Sequence, residues 1–186
     1  MASRQIEDAL GLVLRLLAVI WVVELVNWLL LDHRLASLGI IPRQARGLIG
    51  VVAAPLLHAS PEHALANSLP LLLLGGLVAL NGRKVFLTAT VTIVLLGGAG
   101  VWLLARDAVH IGASGLIFGY FGFLLARGWL DRSLFSLLLA LAAIVLYGGM
   151  IWGLTPIAAG PEVSWEAHLG GFLAGIVASA WARRGP

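Results

Sequence analysis

His110-Ile111-Gly112-Ala113-Ser114-Gly115-Leu116-Ile117-Phe118-Gly119 lies in the middle of a strongly apolar chain and interrupts it. The stretch offers a histidine and a serine set between glycines, with no bulky side chain beside that serine. Glycine weakens a helix interior by roughly 0.5–1 kcal/mol relative to alanine, so a Gly-Ala-Ser-Gly break inside an apolar run needs a reason. The surrounding composition says where that reason lies. Of 186 residues, 60% are hydrophobic and 11% charged, and the mean hydropathy is +0.99. Soluble domains hold about 45–50% apolar and about 25% charged residues. The chain therefore reads as an all-α integral membrane protein whose length suits a single membrane domain over residues 1–186.

Several function classes fall away at once. With no cysteine there is neither a disulfide framework nor a thiolate metal site. The net charge of +3 comes from scattered residues, and no basic run or basic-aromatic patch supports nucleic-acid binding. No cofactor or metal is expected.

Working outward from the break, the charges divide the chain into six apolar runs, at about residues 10–31, 63–82, 85–105, 114–127, 133–155 and 165–182. The first is too long for a signal peptide and follows the acids Glu7 and Asp8, so it reads as a retained span. Arg15 is expected to snorkel to the near interface. Glu24 lies deeper, and is read as an interhelical hydrogen bond or a protonated carboxyl, with a functional acid as the alternative. Gly47 to Leu57 is apolar but only 11 residues long. A span needs about 20, so this piece reads as a re-entrant or interfacial element in the first loop.

Basic residues favour the cytoplasmic side. With the amino terminus inside, the inner segments hold Arg4, Arg83, Lys84, Arg127, Arg132, Arg183 and Arg184, against Arg34, Arg43 and Arg46 in the long first outer loop. Both termini are then cytoplasmic. The second, fourth and sixth spans all run inward, which allows depth to be counted from their inner charges. Ser114 precedes Arg127 by 13 residues and His168 precedes Arg183 by 15, placing both roughly 20 Å above the inner surface at about 1.5 Å per residue. Asn67 precedes Arg83 by 16 residues, and His63 stands one turn higher. Four polar side chains on three parallel spans thus share one layer in the outer half.

A fourth helix that begins at Ser114 falls short of the outer surface, so Arg106 to Ala113 must descend as irregular backbone. Such backbone is tolerated at membrane depth only when buried in protein or lining a water-filled cavity. The glycines Gly115, Gly119 and Gly122 line one face of this short helix, and Gly171 and Gly175 line the sixth. Small faces let membrane helices approach closely, bringing Ser114 beside His168.

A serine hydroxyl needs an adjacent base to become a nucleophile, and imidazole has a suitable pKa. No carboxylate is well placed to orient His168, since Glu166 points to another face, so a dyad fits better than a triad. The backbone N–H of Ser114, with His63 and Asn67, would supply oxyanion donors. The motif H-E-x-x-H is absent. His58 and Glu62-His63 are one residue longer than the inverted zincin spacing. All four aspartates lie in tails or loops, which removes a buried aspartyl pair. Gly112 to Leu116 lacks the last glycine of a nucleophile elbow.

These residues form a recognisable pattern. His58-Ala59-Ser60-Pro61-Glu62-His63-Ala64-Leu65-Ala66-Asn67, Gly112-Ala113-Ser114-Gly115, and Ala167-His168-Leu169-Gly170-Gly171 with Gly175 together resemble the rhomboid family of intramembrane serine proteases, in order and spacing. The resemblance runs from about residue 10 to 183 and is to a minimal six-span, bacterial-type form. It implies a six-helix bundle with a membrane-embedded first loop and a short fourth helix, in a bacterial plasma membrane. It implies Ser114 as nucleophile and His168 as base, with His63, Asn67 and the backbone of Ala113 and Ser114 binding the oxyanion. Gly112 would admit substrate backbone. The implied partners are the lipid bilayer and transmembrane protein substrates, which enter past the second and fifth spans. Phe118 stands where a tyrosine often packs on the histidine, so stacking survives without a phenolic hydroxyl. Pro42-Arg43 and Arg46 replace the tryptophan-arginine pair of one branch. The alternative readings are a non-catalytic relative that binds membrane helices and a small transporter using Glu24 and the histidines.

Overall fold

The computed structural model describes residues 2–160 and 163–184. In chain order it contains α1 (Ala2–Leu31), α2 (Gly50–Ala53), α3 (Pro61–Ala79), α4 (Arg83–Thr92), α5 (Gly98–Leu104), α6 (Ser114–Asp131), α7 (Leu134–Tyr147), α8 (Pro156–Ala159) and α9 (Trp165–Arg184), with short 3-10 turns in the connections. Among the described residues no strand forms, and the only extended pairing is an isolated bridge between Ile40 and His110.

Among the described residues, four helical stretches are long and apolar enough to cross a membrane: Leu10–Leu31, Pro61–Ala79, Arg83–Leu104 and Leu134–Leu154. Their outward faces are apolar and uncovered, with Leu30 75%, Leu104 85% and Val145 74% exposed. Apolar area on that scale needs a hydrocarbon solvent, and the protein is an integral membrane protein. The helices that carry Ser114 and His168 differ in kind. Charges interrupt them, Arg127 and Asp131 in α6 and Glu166, Arg183 and Arg184 in α9. Instead of facing outward, α6 is the centre of the bundle, with Leu116 to Leu124 buried without a break.

Local chemistry sets most boundaries. Ser60 caps α3 by accepting from the His63 N–H, and Pro61 sits in the first turn, so the helix starts two residues before His63. Helix α6 continues past Arg127 to Asp131, where the sequence places a loop, because Arg127 and Asp131 pair across one turn at 2.6 Å. The fifth run is not one regular helix: from Gly148 to Leu154 it tightens to 3-10 geometry. The third is continuous but holds a π-turn at Ile93–Gly97. That turn sets Gly97 against the backbone of Gly171, and Ile93 against Gly119.

Among the described residues, the pairing of α6 with α9 is the most extensive between any two elements. A Cβ on Gly171 would overlap the Gly115 carbonyl oxygen, and one on Gly175 would overlap that of Gly119. The backbones are in contact, and only glycine permits it. The first connection folds as helical turns over Ala45–Leu56. Arg43 ties it to the end of α5, pairing with Asp107 and donating to the Ala105 carbonyl at 2.8 Å. Glu24 is fully buried, and among the described residues neither carboxylate oxygen lies within hydrogen-bond distance of a partner on another helix.

Candidate active site

Irregular backbone from Arg106 to Ala113 leads into α6, and it is held from the first connection. His110 exchanges both backbone hydrogen bonds with Ile40, at 3.0 and 2.9 Å, and the Gly112 N–H donates to Ala54 at 2.9 Å. Gly112 has φ +112°, a conformation that favours glycine, and a Cβ there would lie 3.0 Å from the His63 ring. The chain then turns into the helix at Ser114. The first intrahelical bond is from Ile117 N–H to the Ala113 carbonyl. The N–H groups of Ser114, Gly115 and Leu116 therefore have no acceptor within the helix, and they carry its positive end.

His168 stands in the first turns of α9, 7% exposed. Its Nε2 lies 3.0 Å from Ser114 Oγ. Its Nδ1 lies 2.9 Å from the Gly153 carbonyl oxygen. A carbonyl only accepts, so Nδ1 bears the proton and Nε2 presents its lone pair to the serine hydroxyl. Phe118, one turn along α6, stacks on the ring at 4.1 Å between centroids with an interplanar angle of 10°. Three groups thus fix the imidazole: a hydroxyl, a carbonyl and an aromatic face. Gly153 was not legible in the sequence as a site residue, because it acts through its carbonyl, which every residue carries. Space also requires glycine there, since a Cβ would meet Phe118 Cζ at 2.9 Å.

The remaining sequence-derived residues are placed unequally. His63 lies at the site: its Nε2 is 3.1 Å, and Ser114 Oγ 3.8 Å, from the position a Gly112 Cβ would take. Asn67 is buried, but its Nδ2 donates to the His63 carbonyl at 3.0 Å, within its own helix. The Ala113 N–H donates to His58 Nε2 at 3.3 Å, so that donor is already engaged. His58 is a second residue whose role is not legible in the sequence. It lies fully buried in the connection before α3, edge-on to His63 at 5.0 Å. Burial, followed by the nearby His63, pushes its pKa down to about 4, which keeps it neutral and able to accept. Glu166 pairs with Arg106 at 3.7 Å and makes no hydrogen bond to His168, whose ring nitrogens meet Ser114 and Gly153. Gly171 and Gly175 lie in the helix seam below the pair. Among the described residues no group of three or more His, Asp or Glu side chains could hold a metal.

A helical membrane protein with a serine and a histidine in hydrogen-bond contact at the head of a glycine seam is a narrow class. The family model for the rhomboid domain matches residues 45–185, and the chain belongs to the rhomboid family. It is 42% identical over 174 residues to uncharacterized proteins of Mycobacterium bovis and Mycobacterium tuberculosis, covering 90% of this chain and 72% of each relative. An uncharacterized protein of Mycobacterium leprae is 36% identical over 174 residues, covering 90% of this chain and 68% of that one.

Proposed function

We propose that the protein is an intramembrane serine endopeptidase that cleaves transmembrane segments of other membrane proteins. The observation that carries this reading is the contact between Ser114 Oγ and His168 Nε2 at 3.0 Å, with the histidine tautomer set by Gly153. Membership of a family made up generally of intramembrane proteases supports it.

In this reading Ser114 Oγ attacks the scissile carbonyl while its proton passes to His168 Nε2. The imidazolium keeps its Nδ1–H on the Gly153 carbonyl. The oxyanion is met by the Ser114 N–H at the positive end of α6, with His63 as the side-chain donor and Asn67 contributing its second N–H. His168 then gives its proton to the leaving amine, and the C–N bond breaks to leave an acyl-serine. Water, deprotonated by the same histidine, releases the acid and restores Ser114. A carboxylate is not needed to orient the base, since Gly153 and Phe118 do so.

The six-span arrangement, with α6 and α9 as the short fourth and the sixth spans, is part of the proposal, as are cytoplasmic termini and a plasma-membrane setting. Trp28, Trp102 and Trp152 near one set of helix ends, and Trp129 and Trp181 near the other, suit the two interfaces of a bilayer. The test is cleavage of a panel of single-span proteins in vesicles holding the purified enzyme. Cleavage that disappears in Ser114→Ala, with the fold intact, supports the reading; full activity in that variant overturns it.

A further inference from the structure

Two Ser–His contacts, one turn apart, join the loop that carries Ser114 to the helix that carries His168. Ser114 Oγ and His168 Nε2 are 3.0 Å apart. Four residues earlier on each side, His110 Nδ1 and Ser164 Oγ are 2.6 Å apart. Both pairs span 54 residues, with the residue types exchanged between the two segments.

The wiring of the upper pair follows from its partners. His110 is buried, 2% exposed, and its Nε2 lies 3.0 Å from the Arg106 carbonyl oxygen. That carbonyl only accepts, so Nε2 carries the proton and Nδ1 accepts from the Ser164 hydroxyl. Ser164 Oγ in turn accepts from the Ala167 N–H at 3.3 Å, and the Ser164 carbonyl from the His168 N–H at 3.2 Å. Ser164 therefore caps α9 at the turn that holds His168. On the other side, the His110 backbone is paired with Ile40. His110 thus joins the first connection through its backbone, and the cap of the histidine helix through its ring.

We propose that His110 and Ser164 are positioning residues that set the register between Ser114 and His168. The inference rests on the reading of those two as nucleophile and base. Neither His110 nor Ser164 touches the reacting atoms. Below them, α6 and α9 meet backbone to backbone at Gly115–Gly171 and Gly119–Gly175, and through the Phe118–His168 and Phe121–Phe172 ring contacts. Arg106 also reaches α9, through Glu166 and the Val163 carbonyl, but from an exposed side chain. The His110–Ser164 bond, made by a buried imidazole, is the hydrogen bond above the Ser114–His168 contact that holds the height of one segment against the other, and a misplacement of about 1 Å can cost on the order of a hundredfold in rate.

Ser164→Ala and Ser164→Thr in the full chain test this, because His110 is buried and its variants risk the fold. Ser164→Ala should lower both kcat and the rate of Ser114 modification by a fluorophosphonate about tenfold, with KM unchanged. Ser164→Thr keeps the hydroxyl and should restore both. Rates in Ser164→Ala within about twofold of wild type, or a threonine variant as impaired as the alanine one, would overturn the proposal. Amide exchange separates this from the functional reading. Residues 110–114 and 164–168 should exchange faster in Ser164→Ala than in wild type or Ser164→Thr, whether or not Ser114 is the nucleophile. Unchanged exchange removes the tether. A wild type that no fluorophosphonate modifies would count against the protease reading alone.

Discussion

His168 donates through Nδ1 to the Gly153 carbonyl oxygen at 2.9 Å, and that single bond decides which of its nitrogens faces Ser114. Most serine hydrolases give this task to a carboxylate, which also stabilises the imidazolium. In the site proposed for this protein, a backbone dipole and the Phe118 face take its place. Both are uncharged, which suits a site at the head of an apolar bundle, where an extra buried charge costs several kcal/mol unless it is well paired.

Gly153→Ala should therefore damage the site from behind. Its Cβ would come within 2.9 Å of Phe118 Cζ and 3.4 Å of His168 Nδ1. The ring or the carbonyl must shift by a few tenths of an ångström, and a loss of about tenfold in kcat is expected. Steady-state cleavage beside a thermal midpoint close to wild type checks this. Unimpaired turnover would show that the carbonyl is not what orients His168.

The glycine seam makes a sharper contrast between two similar changes. Gly171→Ala places a methyl on the Gly115 carbonyl oxygen, and the two helices must separate. It should destabilise by about 1–3 kcal/mol or more. Gly76→Ala, within α3 with nothing near its side-chain position, should be neutral or stabilise by about 0.4–1 kcal/mol. Thermal denaturation in detergent ranks the two; equal midpoints would show that α6 and α9 do not meet backbone to backbone.

This seam was legible in the sequence because small residues at helical spacing carry a geometric meaning. So was the start of α6, since Gly112-Ala113-Ser114-Gly115 ends one backbone geometry and begins another. What stayed hidden works through the backbone or through non-local contact. The Gly153 carbonyl has no side-chain signature. The π-turn at Ile93–Gly97 leaves an ordinary apolar run in the sequence. His58 opens the first motif of the resemblance but carries no role there, whereas the structure has it accept from the Ala113 N–H at 3.3 Å, 55 residues away. Arg127 looked like a helix end because charges usually bound spans, and its pairing with Asp131 extends the helix instead.

His58 also predicts a pH dependence. Its folded pKa, at about 4, lies below the ordinary value of 6.5, so the unfolded chain binds its proton more readily. The contribution to stability is complete above pH 6.5 and is lost as pH falls towards 4. A shift of that size corresponds to about 3 kcal/mol. Denaturation midpoints should fall across this window in wild type and fall less steeply in His58→Gln. Parallel curves for the two proteins would show that His58 does not contribute.

The proposed activity depends on Ser114 being a nucleophile activated by His168. Mass spectrometry of the protein after fluorophosphonate treatment in membranes tests it most directly. The expected result is one adduct on Ser114 in wild type, absent in Ser114→Ala and strongly reduced in His168→Ala. No adduct on wild type, or equal modification of Ser114 in the His168 variant, would contradict it.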